Sequence, residues 1–499
     1  MNKRRDDYGL MTRRCDILYS LENFKKGGKT VKKILFISLA VVLALGVGLM
    51  GCGGEELPPE APDYITVGLT RDLDEDYAAF DWFAAGPVYR WLFDEINADG
   101  GIYLSDYAEK VEINPIVRDF SMAEWDIAEV TQGLIDDGAD FIWGGPGTSC
   151  IYSQAPVCGA NSILGFFLEG GSSFMIWDEE IDDYPYVWCS LSFSNWYQMP
   201  VLSEMLKAEI ADPKAYILYI DDQHGYEYVE AFEREFGTAN VVEKVPISAA
   251  PTPKAEADTI IQNAQAALTT TPYDIFISFT YPWITEPITQ AMIDNNFNPP
   301  AIQFGPGANF GYYAYKFSDV EQGLEQDPSL VEGIMFYTMA NQKTEVKVGT
   351  PTMTMAEMYD LMAAQLDEDV ANGDCLIPLP GALLLDYWGM PCYFALGEIW
   401  VKAIEEAGNL DSIAIRDILS SYSPTNPVQT VFGDTWFEVF GDGYGGGILS
   451  YKCHTGEIGQ IQSAVFETVG YDGITDVLPN YDITADWKYP MTDQWGWLP

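Results

Sequence analysis

At 499 residues, 48% hydrophobic and 14% aromatic, the chain has material for two packed lobes and is too rich in core-forming residues to be disordered. Its 26 Lys+Arg against 75 Asp+Glu give a formal net charge of -49; ten basic and four acidic residues precede Cys52, so the body beyond stands at -55. A body this acidic repels phosphate backbones and anionic headgroups, which excludes nucleic-acid binding.

In chain order, Lys32 and Lys33 precede an uncharged apolar run from Ile34 to Gly51, then Cys52. A positive start, an apolar stretch and small residues before a cut describe an export signal. Leu49-Met50-Gly51-Cys52 resembles the bacterial lipobox, which implies lipidation of Cys52 and anchoring to the outer face of the cell membrane or in the periplasm. The other reading of the run is an uncleaved membrane helix, but a polar, Pro/Gly-rich tether follows from Gly53 to Glu60. Translation starts either at Met1 or near Val31, and residues 1–51 are set aside as a leader. Cys150, Cys158, Cys189, Cys375, Cys392 and Cys453 form an even set in an oxidising compartment. Proximity in sequence suggests Cys150–Cys158 and Cys375–Cys392 bridges.

Beyond the tether the pattern alternates strands and helices, the signature of an α/β protein with parallel sheets. Strands are expected at 64–70, 111–117 and 139–143, with helices at 87–98 and 123–137 between them. A second series runs as helix 199–211, strand 215–220, helix 226–236, strand 241–247, helix 255–268, strand 274–279, helix 284–295 and strand 300–304. Helices at 355–372 and 393–407 and a Gly-rich hairpin at 432–451 follow. The aromatic stretch after about residue 470 fits no element.

Four segments then carry a specific resemblance. Trp91-Leu-Phe-Asp-Glu-Ile-Asn-Ala-Asp-Gly-Gly-Ile102, Leu134-Ile-Asp-Asp-Gly-Ala-Asp-Phe-Ile-Trp-Gly144, Tyr219-Ile-Asp-Asp-Gln-His-Gly-Tyr-Glu-Tyr228 and Ala403-Ile-Glu-Glu-Ala-Gly-Asn-Leu-Asp-Ser-Ile-Ala-Ile-Arg416, in that order, resemble the type I periplasmic binding proteins of branched-chain amino-acid ABC transporters. The resemblance spans roughly residues 62–465. It implies two Rossmann-like lobes joined by a hinge, with parallel sheets flanked by helices and a ligand cleft between them. The expected organisation is a lipidated tether at 52–62, lobe 1 at 63–190 plus about 338–428, and lobe 2 at 191–337 plus about 429–465. Residues 466–499 form an unassigned tail.

In such a protein the ligand lies against loops at the carboxyl ends of strands. Gly145-Pro-Gly-Thr-Ser149 puts Thr148 and Ser149 beside amides that can hold a carboxylate, and Glu169-Gly-Gly-Ser-Ser173 adds Gly171, Ser172 and Ser173. Either loop can also be a Gly-rich turn without ligand contact. From the second lobe the resemblance implies His224 with Tyr226, then Tyr281 or Trp283; His224 read alone is equally a surface turn residue. After the strand ending at Phe304 the family places an acidic residue, whereas this chain reads Gly305-Pro-Gly-Ala-Asn309. An ammonium buried without a charge partner is costly, so Asn309 argues against a plain α-amino acid. An aromatic or aliphatic carboxylate, an amide or a peptide-like compound fits as well.

Catalytic patterns are missing from the sequence. His224 and His454 are the two histidines, and neither a G-x-S-x-G elbow nor an H-E-x-x-H helix occurs. Gly28-Lys29-Thr30 lacks the first glycine of a phosphate loop, and Gly441-Asp-Gly443-Tyr-Gly-Gly446 runs into a strand rather than a helix. The expectation is a monomeric, non-enzymatic protein with no cofactor and no metal. It captures a small molecule and passes it to a permease driven by a separate ATPase, the alternative being a sensor for a separate signalling partner.

Overall fold

The computed structural model describes residues 58–73, 78–121, 124–145, 147–167, 186–190, 198–317, 329–346, 349–439, 446–450, 457–462, 465–470 and 485–498. The expected lipidation site Cys52, the candidate residues Gly171, Ser172 and Ser173, and Cys453 and His454 lie outside them.

Two seven-stranded sheets carry the fold. The first is entered by Ile65–Arg71 (β1), buried along almost its whole length as a strand covered on both faces must be. A small hairpin of Ile102–Leu104 (β2) and Glu109–Val111 (β3) precedes Ile113–Asp119 (β4), which pairs parallel to β1. Phe141–Trp143 (β5), Leu164–Phe167 (β6) and Val187–Cys189 (β7) extend the parallel sheet on the other side of β1. The crossovers are Gly86–Ala98 (α1), Ile127–Asp136 (α2) and Thr148–Asn161 (α3).

The second lobe starts with Met199–Glu209 (α4), then Ala215–Ile220 (β8), Gln223–Phe236 (α5) and Val241–Ile247 (β9). Lys254–Thr270 (α6), Ile275–Phe279 (β10), Pro282–Asp294 (α7), Ile302–Phe304 (β11), Gly311–Lys316 (α8) and Met335–Thr338 (β12) follow. β9, β8, β10, β11 and β12 are successive parallel neighbours. The chain then returns to the first lobe with Met355–Asn372 (α9) and Gly389–Ala407 (α10), then Ser412–Ser421 (α11). α9 opens on a capping box between Thr354 and Glu357, and α10 is apolar enough to be buried along most of its length.

Two expectations are corrected here. The hairpin region was assigned to the second lobe. After the short pair Val428–Thr430 (β13) and Gly433–Thr435 (β14), however, Phe437–Val439 (β15) and Gly447–Leu449 (β16) join the first sheet, β16 lying parallel to β7. The cause is apolar: Ile448 is buried among Ile142, Phe167, Val187 and Cys189, and the Phe437 ring sits 4.8 Å from Trp188. Among the described residues after β16, Glu457–Gln462 (β17) and Val465–Gly470 (β18) join the second sheet, β17 antiparallel to β12 and β18 antiparallel to β17.

The proposed disulfides do not form. Cys150 and Cys158 lie eight residues apart on α3, about 12 Å along the axis, twice the reach of a bridge, and Cys158, Cys189, Cys375 and Cys392 are buried free thiols. Burial pushes the Cys158 thiol up to about 12.

The unassigned tail has a place. The Trp495 and Trp497 rings stack 4.9 Å apart, and their indole N–H groups donate to Pro299 O and Phe297 O just ahead of β11. Lys488 N donates to Gln460 Oε1 on β17. Residues 485–498 therefore strap the second lobe beside its sheet.

Candidate ligand cleft

In each sheet the loops that follow the carboxyl ends of the parallel strands carry the candidate residues, the position at which open α/β sheets bind ligands. From the first lobe, β5 runs through Gly144 and Gly145 into α3. Gly147 is the N-cap of α3 at φ 91, a left-handed conformation that glycine adopts without strain, and it offers no side-chain cap. The first-turn amides of a helix have no intrahelical acceptors, so this turn is a ready anion cradle. Thr148 is buried and Ser149 half-buried at its mouth. Gly145 N–H is already engaged: it donates to Gln154 Oε1 at 3.0 Å, while Gln154 Nε2 holds Thr70 Oγ1 and Thr131 Oγ1.

From the second lobe, Asp222 caps α5 by accepting from Gly225 N at 3.0 Å, which fixes His224 in the first turn. His224 is buried, not a surface turn residue. Its ring lies 4.6 Å from Tyr228 and 5.0 Å from Tyr281, and Nε2 finds no hydrogen-bond partner among the described residues. Burial pushes its pKa down to about 3, so the imidazole is neutral near pH 7. Tyr281 is buried, donates to Asp222 Oδ2 at 3.3 Å and stacks on Trp283 at 4.8 Å; the Trp283 indole donates to Ala249 O. Tyr226 stands apart, half-exposed with its hydroxyl on Asp221. Two helix positions from His224 is more than half a turn away, which turns it to another face.

Asn309 is buried and its amide donates to Asp386. Asp386 is also buried, and its oxygens accept from the N–H groups of Trp388, Gly389 and Met390 where α10 begins. Desolvation raises its pKa to about 6 against the pull of those donors. This carboxylate is spent on tying the 305–310 loop to the first-lobe helix: Gly311 N donates to Leu385 O, and Phe310 bridges Asp386 in β fashion.

Sequence reasoning passed over the segment after β1, Ala78 to Ala85, although Ala79-Phe-Asp-Trp-Phe83 is unusually aromatic. Phe80 is buried with its edge 6.2 Å from Tyr281 and 5.8 Å from Phe310, and Phe83 lies 5.5 Å from Phe310. Rings from both lobes thus meet. Beside them is a half-open pocket of 230 Å³ lined by Ala79, Trp82 and Phe83 from the first lobe and by Pro282, Trp283, Glu286, Gly307, Phe310, Tyr312 and Tyr313 from the second, with Ile377 at its side. A cavity of about 150 Å³ already holds benzene, so a single-ring or amino-acid-sized guest fits. Glu286, the acidic group in this lining, is paired with Lys316. Of the sequence candidates, Trp283 is in the lining and Tyr281 stacks on it, with His224 one ring further in; Thr148 and Ser149, in the first turn of α3, and Asn309 are not part of the lining.

Residues 65–310 match the model of the periplasmic binding protein family. The substrate-binding protein LivJ of the branched-chain amino-acid transporter of Streptococcus pneumoniae, solved with isoleucine, superposes with a TM-score of 0.58 at 16% identity, covering 82% of this chain and 99% of that one. The leucine-binding protein LivK of Thermotoga maritima gives 0.59 at 13% identity, over 82% and 98% of the two chains. A solute-binding protein of an ABC transporter of R. palustris, solved with benzoate, gives 0.57 at 13% identity, over 85% and 98%. Among the curated proteins none matches the chain. The fold is that of the type I periplasmic binding proteins.

Proposed function

We propose that this chain, whose residues 65–310 match the periplasmic binding protein family, is an extracytoplasmic solute-binding protein that captures a small carboxylate-bearing or polar molecule and delivers it to an ABC importer. The observation that carries this reading is the cavity between the two lobes, lined by rings from both, so that a guest there favours the shut arrangement. The uncapped first turn of α3 supplies amides for a negative or polar end. No carboxylate stands free for an ammonium among the described lining residues, because Glu286 faces Lys316 and Asp386 serves the start of α10. That favours ligands like the benzoate of the R. palustris protein at least as much as the isoleucine of LivJ. The chain works as a monomer held at the membrane by lipid on Cys52.

A thermal-shift panel of amino acids, benzoates, aliphatic acids and amides tests the reading. A binder at one hundred times its Kd adds about 2.7 kcal/mol of stability and raises the melting temperature. Thr148→Ala and Ser172→Ala weaken the best hit if their hydroxyls help hold it. A panel without any shift, or a best hit indifferent to both changes, counts against the assignment.

A further inference from the structure

Three buried charges and a partly buried fourth, Arg90, form an ion chain in the first lobe next to the 78–85 segment. Arg71 ends β1 with no exposure, and its Nε pairs with Asp81 Oδ1 at 3.1 Å. Arg90 on α1 reaches the other oxygen of Asp81 at 3.7 Å and Asp369 on α9 at 2.9 Å. The Tyr89 ring lies 5.0 Å from the Arg71 guanidinium and 5.1 Å from that of Arg90. An ion chain of this kind is a poor investment in stability, since desolvation cancels most of the attraction. Its geometry has another use.

Arg71 Nη1 donates to Thr70 O, Trp143 O and Gly144 O at 2.8, 3.1 and 2.8 Å, and Nη2 donates to Tyr393 Oη at 2.8 Å. One guanidinium therefore grips the ends of β1 and β5, where the Thr148 loop starts, and also Asp81. Asp81 sits between Phe80, which meets the second lobe, and Phe83, which lines the cavity. We propose that Arg71 and Asp81 are positioning residues of the cleft: they lock the 78–85 segment to the 144–149 loop so that both present one preformed half-site. The proposal rests on the reading of this cleft as the binding site. Arginine suits the task because its planar fork serves several carbonyls and a carboxylate at once, which a lysine cannot do.

Arg71→Lys and the double variant Arg71→Met/Asp81→Leu, in the full chain, separate positioning from stability. Melting temperature, amide exchange, and binding of leucine, isoleucine, benzoate and 4-hydroxybenzoate by tryptophan fluorescence are the readouts. The double variant removes both charges and leaves Arg90 paired with Asp369, so no buried charge is orphaned and its melting temperature falls only by what the carbonyls of Thr70, Trp143 and Gly144 lose. Exchange at 78–85 and 147–149 rises about tenfold or more over the 215–220 reference strand in both variants, and affinity for the bound probe falls about tenfold or more. Wild-type exchange and affinity in either variant would overturn the proposal. A wild-type chain that binds none of the four probes tells against the reading of the cleft alone, and the exchange comparison then decides this one.

Discussion

Replacing His224 by Phe removes an imidazole stacked on Tyr228 and Tyr281, and its effect on stability depends on pH in a calculable way. The folded-state pKa is pushed down to about 3 by burial, against an ordinary value of 6.5. The unfolded chain therefore binds a proton more readily than the folded one between these values. Stability from the neutral ring is fully present above pH 6.5 and is lost as pH falls towards 3. At about 1.36 kcal/mol per pH unit, wild type loses about 2 kcal/mol at pH 5 that the Phe variant keeps. Urea melts of both proteins at pH 7.5 and pH 5 read this directly, since every other titratable group is common to the pair. Equal losses on acidification would show that His224 is solvated or paired, and the buried arrangement would be refuted.

Phe80→Ala deletes a ring that is 1% exposed and joins the lobes, and costs about 3–5 kcal/mol in urea unfolding; a cost below about 1 kcal/mol would mean the ring does not seat there. Gly307→Ala would put a Cβ 1.9 Å from Thr285 Oγ1, so the cavity wall must shift, at about 1–3 kcal/mol; an unchanged melting temperature contradicts the close approach. Cys158, Cys189, Cys375 and Cys392 react with a thiol reagent only on unfolding, because burial raises them and hides them; immediate reaction, or their absence after unfolding without reductant, contradicts the free buried thiols.

The main strands and helices of 65–143 and of 199–304 were legible because buried parallel strands read as short apolar runs and their crossovers show helical periodicity, whereas the β2–β3 hairpin, β6 and β7 were not expected. Expected and observed limits coincide at Ala215–Ile220, Val241–Ile247 and Met355–Asn372. The α3 helix escaped notice because Pro156 and Gly159 break its pattern and its apolar residues lie on no single face. The hairpin around β15 and β16 was misplaced for a different reason: pairing partners more than 200 residues apart leave no local trace. Cysteine proximity misled because eight residues along a helix is far in space. One motif and one strand end pointed to His224, Tyr281 and Trp283, of which Trp283 lines the pocket and the other two stack behind it. Arg71, Asp81 and the Phe80–Phe83 pair lay in a stretch with no resemblance, where only the density of rings around one acid hinted at a role.

A guest gripped by both lobes is tested most directly by calorimetric titration of the best binder into wild type, Thr148→Ala in the first lobe and Trp283→Ala in the second. One site per chain, weakened about tenfold or more by each substitution, is the predicted result. Affinity unchanged in both variants would contradict it.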